Sequence, residues 1–357
     1  MSYRIKRDIQ SSPLQSSVEM ARGLFSSPLG FIGRIAKTLS RSDKRAVVVP
    51  VSVPAPCVES SDSPPRWIVF SDTENDVNSV NNTLRFAGIL NKQDELTDNL
   101  EGVTIFHTGD LIDKKNPDPA VVEYWQLLQR DALTKGCTVK LIVGNHEQEI
   151  WQKIKAGEKF DVGEEVSQRI SSFIEDLDLF HVAGSILFIH GYPTVEFLKA
   201  LLHFKEVTGK DLNSYNTDHY KKALKSVKAI RQYAYVRDAR RANYLLYDLV
   251  NASRYYKKKG RVVGAVLEQL KIKTVIHGHR PQRSGMQVDY EFGKWIPNVR
   301  MIGNDTMVTR TGIGATVIRA TSSRDFNLGF INAKTASSEL RTKVQLELSP
   351  ANSYSSC

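Results

Sequence analysis

Five short clusters between Asp72 and His279 gather residue types that bind divalent metals or move protons. They are Ser71-Asp72-Thr73-Glu74-Asn75-Asp76, His107-Thr108-Gly109-Asp110-Leu111-Ile112-Asp113, Gly144-Asn145-His146-Glu147, His190-Gly191 and His277-Gly278-His279-Arg280-Pro281. Carboxylate and amide oxygens with imidazole nitrogens, and no thiolates, suit Mn²⁺, Fe or Zn²⁺ better than Cu(I) or an iron–sulfur cluster. A carboxylate such as Asp110 can bridge two ions about 3.5–4 Å apart. Such a pair orients a phosphoryl group, lowers the pKa of a bound water, and stabilises charge on the attacking and leaving oxygens. Taken singly, each residue has a plainer use: Asp72 could cap a helix, Asn145 could open a turn, and His190 could be a satisfied core residue.

The elements that must position these clusters weigh against the plainer uses. Each cluster follows a short apolar, β-prone run: 67–70, 103–106, 139–143, 186–189 and 274–276. Helix candidates fall between them, at roughly 77–90, 118–135, 146–156, 164–177, 194–208, 217–256 and 262–271. That alternation predicts an α/β layered domain with at least part of its sheet parallel. In such sheets ligands collect at the carboxyl ends of the strands, where loops from distant sequence converge. Later β-prone segments at 301–302, 315–320 and 328–331 lack intervening helices, so the sheets should be mixed.

Gly109-Asp110-x-x-Asp113, Gly144-Asn145-His146-Glu147, His190-Gly191 and Gly278-His279-x-Pro281 resemble the calcineurin-like metallophosphoesterase signature over about residues 66–320. The likeness is strongest to the phosphoprotein phosphatase branch and its bacterial relatives, which include diadenosine-polyphosphate hydrolases. It implies a sandwich of two mixed β-sheets flanked by helices, and two divalent ions, Mn²⁺ first with Fe, Zn²⁺ or Mg²⁺ as other candidates. Asp110 would bridge the ions, Asn145, His190 and His279 would complete one, and Asp72 would bind the other. His146 would protonate the leaving oxygen with Asp113 orienting it, while Lys114 and Asn145 would contact the phosphate. The ester would be attacked directly by metal-bound hydroxide, with no phosphoenzyme.

Two departures stand out against that pattern. Where the family's first motif reads Asp-x-His-Gly, this chain has Asp72-Thr73-Glu74-Asn75. Asn visits left-handed backbone better than other non-glycine residues. Glu74 could ligate the same ion and would favour a harder metal such as Mn²⁺ or Mg²⁺. Lys114 replaces an arginine of the phosphatase branch, keeping the charge but losing the bidentate fork. His107, His181, His203, His219 and His277 have no comparable support and are read as ordinary residues.

Composition sets the remaining bounds. Apolar residues make up 41% of the 357, enough for a real core, and no apolar run is long enough to span a membrane. Cys57, Cys137 and Cys357 are too scattered for a disulfide framework or a zinc site, which points to a reducing, cytoplasmic setting. Formal net charge is +10, and residues 199–260 alone hold 15 Lys or Arg against 5 Asp or Glu, with eight of the 13 tyrosines. This stretch reads as a helical insertion or cap beside the site, and the resemblance implies a phosphate-binding arginine from this part of the chain, with Arg237, Arg241, Arg254 and Arg261 as candidates. A phosphorylated protein is the partner expected, and single-stranded nucleic acid is a less favoured one. Residues 1–46 form a basic, Ser-rich segment that could be disordered, a targeting segment, or an amphipathic helix on an anionic membrane. Such a leader is also compatible with a bacterial effector delivered to a host cell. Residues 47–65 read as a Pro-rich linker, 66–335 as the catalytic domain and 336–357 as a tail. The alternatives carried forward are a nucleotide or dinucleotide polyphosphate hydrolase and a catalytically weakened binding scaffold.

Overall fold

The computed structural model describes residues 67–98, 100–158, 160–225, 235–236, 246–247, 252–279, 287–288, 295–296, 299–303, 316–320 and 326–330. Segments 1–46 and 47–65, the tail 336–357, Arg237, Arg241, Arg280 and Pro281 lie outside them.

Two parallel-cored sheets organise the domain. In the first, β1 (Trp67–Phe70), β2 (Thr104–His107) and β3 (Thr138–Leu141) run parallel in the order β1-β2-β3. The second has the order β10-β11-β9-β5-β4, formed by β4 (Phe180–Ala183), β5 (Ile186–Ile189), β9 (Thr274–His277), β10 (Gln287–Val288) and β11 (Arg300–Gly303). Its three central strands are parallel, and its two edges are antiparallel. A hairpin of β12 (Thr316–Ala320) and β13 (Phe326–Phe330) lies alongside β1.

Side-chain alternation decides which residues meet between the layers. Val69, Phe106, Ile142, Ile186, Phe188, Ile276 and Ile302 form one buried cluster between the sheets. At its centre the Phe106 and Phe188 rings stack with centroids 3.9 Å apart and planes 7° from parallel. The alternate residues, among them Ile68, Phe70, Ile105, Leu141, Leu187, Ile189 and Val275, join a second core with the helices.

Those helices begin where the sequence supplies caps. Asp76 accepts the Ser79 N–H at the start of α1 (Val77–Phe86). Asp118 does the same for Ala120 at α2 (Pro119–Thr134), with proline in the first turn. α3 (Asn145–Lys155) and α4 (Glu164–Asp176) both carry glutamate in their first turn, which suits the helix dipole. α5 (Val195–Thr208) is capped by Thr194 and stops at Gly209, in the left-handed conformation.

The stretch expected as one helix over 217–256 is different. A π-helical turn at Asn216–Tyr220 leads into the short α6 (Lys221–Leu224), and α7 begins only at Ala252, running to Gln269. Between them, β7 (Tyr235–Val236) and β8 (Leu246–Tyr247) pair with each other, and β8 also pairs with β6 (Tyr192–Pro193), in the order β6-β8-β7. Tyrosine and valine are β-prone, and pairing with β6 outweighs the helical spacing. The insertion is therefore helical only in part. α7 in turn absorbs the 262–271 candidate through Gly260, where a Cβ would overlap the Trp295 backbone, so close packing explains the glycine inside a helix. β4 was not expected; it pairs with β5 through a two-residue turn at Gly184-Ser185, with Gly184 at φ 59°. No helix among the described residues is long and apolar enough to cross a membrane.

Candidate metal centre

Strand register places the chemistry-bearing loops at one level. Phe70 pairs with His107 and His107 with Leu141, while Ile189 pairs with His277 and His277 with Gly303. One to four residues past these strand ends come Asp72, Asp110, Asn145, His190 and His279. Three of them hold left-handed backbone, at φ 52° for Asp72, 57° for Asp110 and 65° for His279, as do Glu74 at 42° and Asn75 at 75°. Such angles are uncommon outside glycine and cluster where a site dictates side-chain direction. A backbone seam fixes the first two loops together: Asp72 N–H to Gly109 carbonyl at 2.9 Å, Glu74 to Asp110 at 3.0 Å, and Asn75 to Leu111 at 3.0 Å.

Two groups of donors share one carboxylate. Asp110, His190 and His279 offer ligand atoms within 4.8 Å of one another, and so do Glu74, Asp110 and His146. The two Asp110 oxygens face different imidazoles: His190 Nε2 lies 3.4 Å from Oδ1 and His146 Nε2 3.5 Å from Oδ2. Around His190 Nε2 stand Asn145 Oδ1 at 3.0 Å and His279 Nδ1 at 3.1 Å. His190 Nδ1 meets the Thr108 carbonyl at 2.8 Å, and a carbonyl can only accept, so the ring proton belongs on Nδ1. The Nε2 lone pair of the neutral ring then points at an amide oxygen and a carboxylate, a convergence of acceptors that a cation resolves. The donor set therefore fits divalent metal. Asp72 joins neither group; its buried carboxylate accepts the His279 N–H at 3.1 Å and the Ser71 hydroxyl. Space is tight as well: a Cβ at Gly144 would overlap Asp110, and one at Gly278 would overlap Ser71 and come within 2.5 Å of Asp72 Oδ2.

Electrostatics follow from this crowding. Burial resists ionisation of Asp110, but His190, His146 and His279 around it more than compensate and hold its carboxyl below the usual range. Burial pushes His190 down, with Asp110 pulling the other way. His107 lies fully buried beneath the loops, its pKa pushed down to about 3 by burial and then by His190. Its Nδ1 accepts the Gly109 N–H at 3.2 Å, so its Nε2–H donates to Thr73 Oγ1 at 3.0 Å.

The remaining expected residues are placed as follows. His146 is held by its backbone N–H, which donates to Asp110 Oδ1 at 2.9 Å. Its Nδ1 lies 3.3 Å from the Ile112 carbonyl, the orienting place expected of Asp113. The Asp113 carboxylate instead accepts the Lys115 N–H at 3.0 Å. Lys114 Nζ lies 3.4 Å from Glu149 on α3. Glu147, the last residue of the Gly144-Asn145-His146-Glu147 cluster, joins the site as well. Its fully buried carboxylate accepts three backbone N–H groups, from Asp110 at 3.0 Å, Ile112 at 2.9 Å and Gly144 at 2.8 Å. The signal that could have found it is a glutamate three residues past a helix N-cap, where carboxylates reach back to the backbone. Burial and the Asp110 charge push that carboxyl up, while the three donors pull it back.

A family model described as calcineurin-like phosphoesterase matches residues 66–283. Among solved structures, the cold-active protein-tyrosine phosphatase of a psychrophilic Shewanella is similar at 13% identity and TM-score 0.53, over 75% of this chain and 78% of that one. A Saccharomyces cerevisiae protein serine/threonine phosphatase aligns at 14% identity and TM-score 0.45, over 89% and 96% of the two chains. A putative diadenosine tetraphosphatase aligns at 14% identity and TM-score 0.37, over 74% and 93%. No curated protein matches the chain.

Proposed function

The chain belongs to the calcineurin-like phosphoesterase family, and from that premise we propose that it is a two-metal phosphatase acting on phosphorylated protein. The observation that carries the reading is the Asp110 carboxylate, with His190 facing one oxygen and His146 the other. In this reading two ions would share Asp110, with Asn145, His190 and His279 holding one and Glu74 the other, to which Asp72, outside both donor groups here, would have to turn. Bound there, the ions would activate a water and neutralise the phosphoryl oxygens. Glu74 in place of histidine makes its half of the centre harder, which favours Mn²⁺.

The chain's own groups do the rest. Neutral His190, fixed by Thr108, keeps its lone pair on the metal side. His146 has two uses open to it, ligand or acid, and we assign it the proton that the leaving oxygen takes up. The Ile112 carbonyl, within reach of Nδ1, orients the ring for that transfer and leaves Nε2 for the proton delivered. Asn145 and Lys114 are assigned to the phosphoryl oxygens. Glu147 ties the Asp110 loop to the start of α3, so that Asp110, Asn145 and His146 move as one body.

Protein phosphate is preferred as substrate because the basic stretch over 199–260 suits an anionic partner and because the Shewanella relative is a protein-tyrosine phosphatase. Turnover of phosphopeptides and of a diadenosine polyphosphate should be compared after chelation and restoration of Mn²⁺. Metal-dependent release of phosphate, faster from the peptides, is expected. Faster cleavage of the dinucleotide would reassign the substrate, and no turnover of either with any metal would leave the scaffold reading.

A further inference from the structure

Asn75 stands where the family pattern has glycine, and its side chain is not idle. Oδ1 accepts the Asp113 N–H at 3.0 Å, and Nδ2 donates to the Asn116 carbonyl at 2.8 Å. One amide therefore clasps both ends of the turn that carries Lys114 and Lys115, while the Asn75 N–H ties the same loop to Leu111 at 3.0 Å. Resting on the phosphatase reading above, we infer that Asn75 is a positioning residue for phosphate recognition, acting through Lys114.

Asn75 and Lys114, two of the residues that depart from the family pattern, then have one explanation. An arginine grips phosphate with a planar fork that fixes its own geometry, whereas a lysine is a point charge on a flexible stem. A lysine contributes only as well as its backbone is placed. Lys114 is also drawn toward Glu149, 3.4 Å away, so a loose turn would let that pair compete with substrate. The turn's own tie, Lys115 N–H to the Asp113 carboxylate at 3.0 Å, anchors one end only. Asn75 supplies the other anchor. At φ 75° asparagine is among the few side chains the backbone tolerates, so the clasp comes without the strain that most residues would bring.

The test is calorimetric titration of inorganic phosphate into the Mn²⁺-loaded protein, for wild type, Asn75→Gly, Lys114→Ala and the double variant. Glycine keeps the left-handed backbone and removes only the clasp. Asn75→Gly should weaken phosphate binding about fivefold, the value of one ordinary hydrogen bond, with bound metal at the wild-type level. The double variant should bind no more weakly than Lys114→Ala, because without the lysine there is nothing for Asn75 to place. Should Asn75→Gly fold poorly, Asn75→Ser, whose shorter hydroxyl cannot span both ends of the turn and adds no charge, should give a loss of the same kind. Unchanged phosphate binding, losses that add in the double variant, or loss of metal alongside loss of phosphate would each overturn the role of Asn75. A wild type that holds metal and does not bind phosphate would overturn the phosphatase reading, and this inference with it.

Discussion

Glu147 shows how a single side chain can decide whether a centre exists. Two carboxylate oxygens take three backbone N–H groups, and one of those belongs to Asp110. Glu147→Gln substitutes an NH₂ for one oxygen, so a donor faces a donor in a fully buried place. The variant should lose about 1–3 kcal/mol of stability, read from urea unfolding. It should also bind metal more weakly, because the Asp110 loop is then held to α3 chiefly by the His146 N–H. Unchanged stability would mean that the three bonds are not made in solution. The metal-ligand candidates could be picked out in the sequence because Asp, Asn and His at strand ends form a recognisable set. Glu147 left only the local signal of its place three residues past a helix N-cap, and Asn75 and His107 left none, because Asn75 bonds to backbone groups and His107 to a Thr73 hydroxyl that folding brings near.

Among the elements, β4 pairs with β5 on one side, and two asparagines meet its outer edge. Asn216 accepts the Leu179 N–H and donates to the Phe180 carbonyl, both at 2.8 Å. Asn213 accepts the Val182 N–H at 2.7 Å and donates to the Val182 carbonyl at 2.9 Å. They occupy edge groups that could otherwise recruit a foreign strand. Asn216 is the more buried of the two, so Asn216→Ala should cost about 2–4 kcal/mol for the two backbone groups it orphans. Asn213→Ala, nearer to water, should cost less, and equal losses in urea unfolding would contradict this account. The strands and helices that build the centre were legible from periodicity, since each buries one face against a large core. The short strands over 235–247 were not, because strands of two residues have no period to read and depend on Tyr192 and Pro193 for pairing.

For the whole molecule, buried histidines tie stability to pH. Burial pushes His107 down to about 3, and burial followed by Lys140 pushes His181 down to about 4, from an ordinary 6.5. At these two rings the unfolded chain therefore binds more protons than the folded one between those values, so their contribution to stability rises with pH across that window and levels off above 6.5, while Glu147, whose carboxyl is pushed up, acts in the opposite sense. Lowering the pH from neutrality to about 5.5 should cost roughly 2 kcal/mol at these two rings, after discounting the partly exposed His181. Against wild type, His181→Gln should lower the loss of stability between pH 7 and 5.5 by about 1 kcal/mol in urea titrations, and an equal loss in the two proteins would show that folding does not depress the His181 pKa. The central claim, that both ions depend on one carboxylate, is tested most directly by counting bound metal per chain in wild type and in Asp110→Asn. We expect two ions in wild type, at most one in the variant, and a fall in turnover of at least about 10³-fold. A variant that still holds two ions, or a wild type that saturates with one, would contradict it.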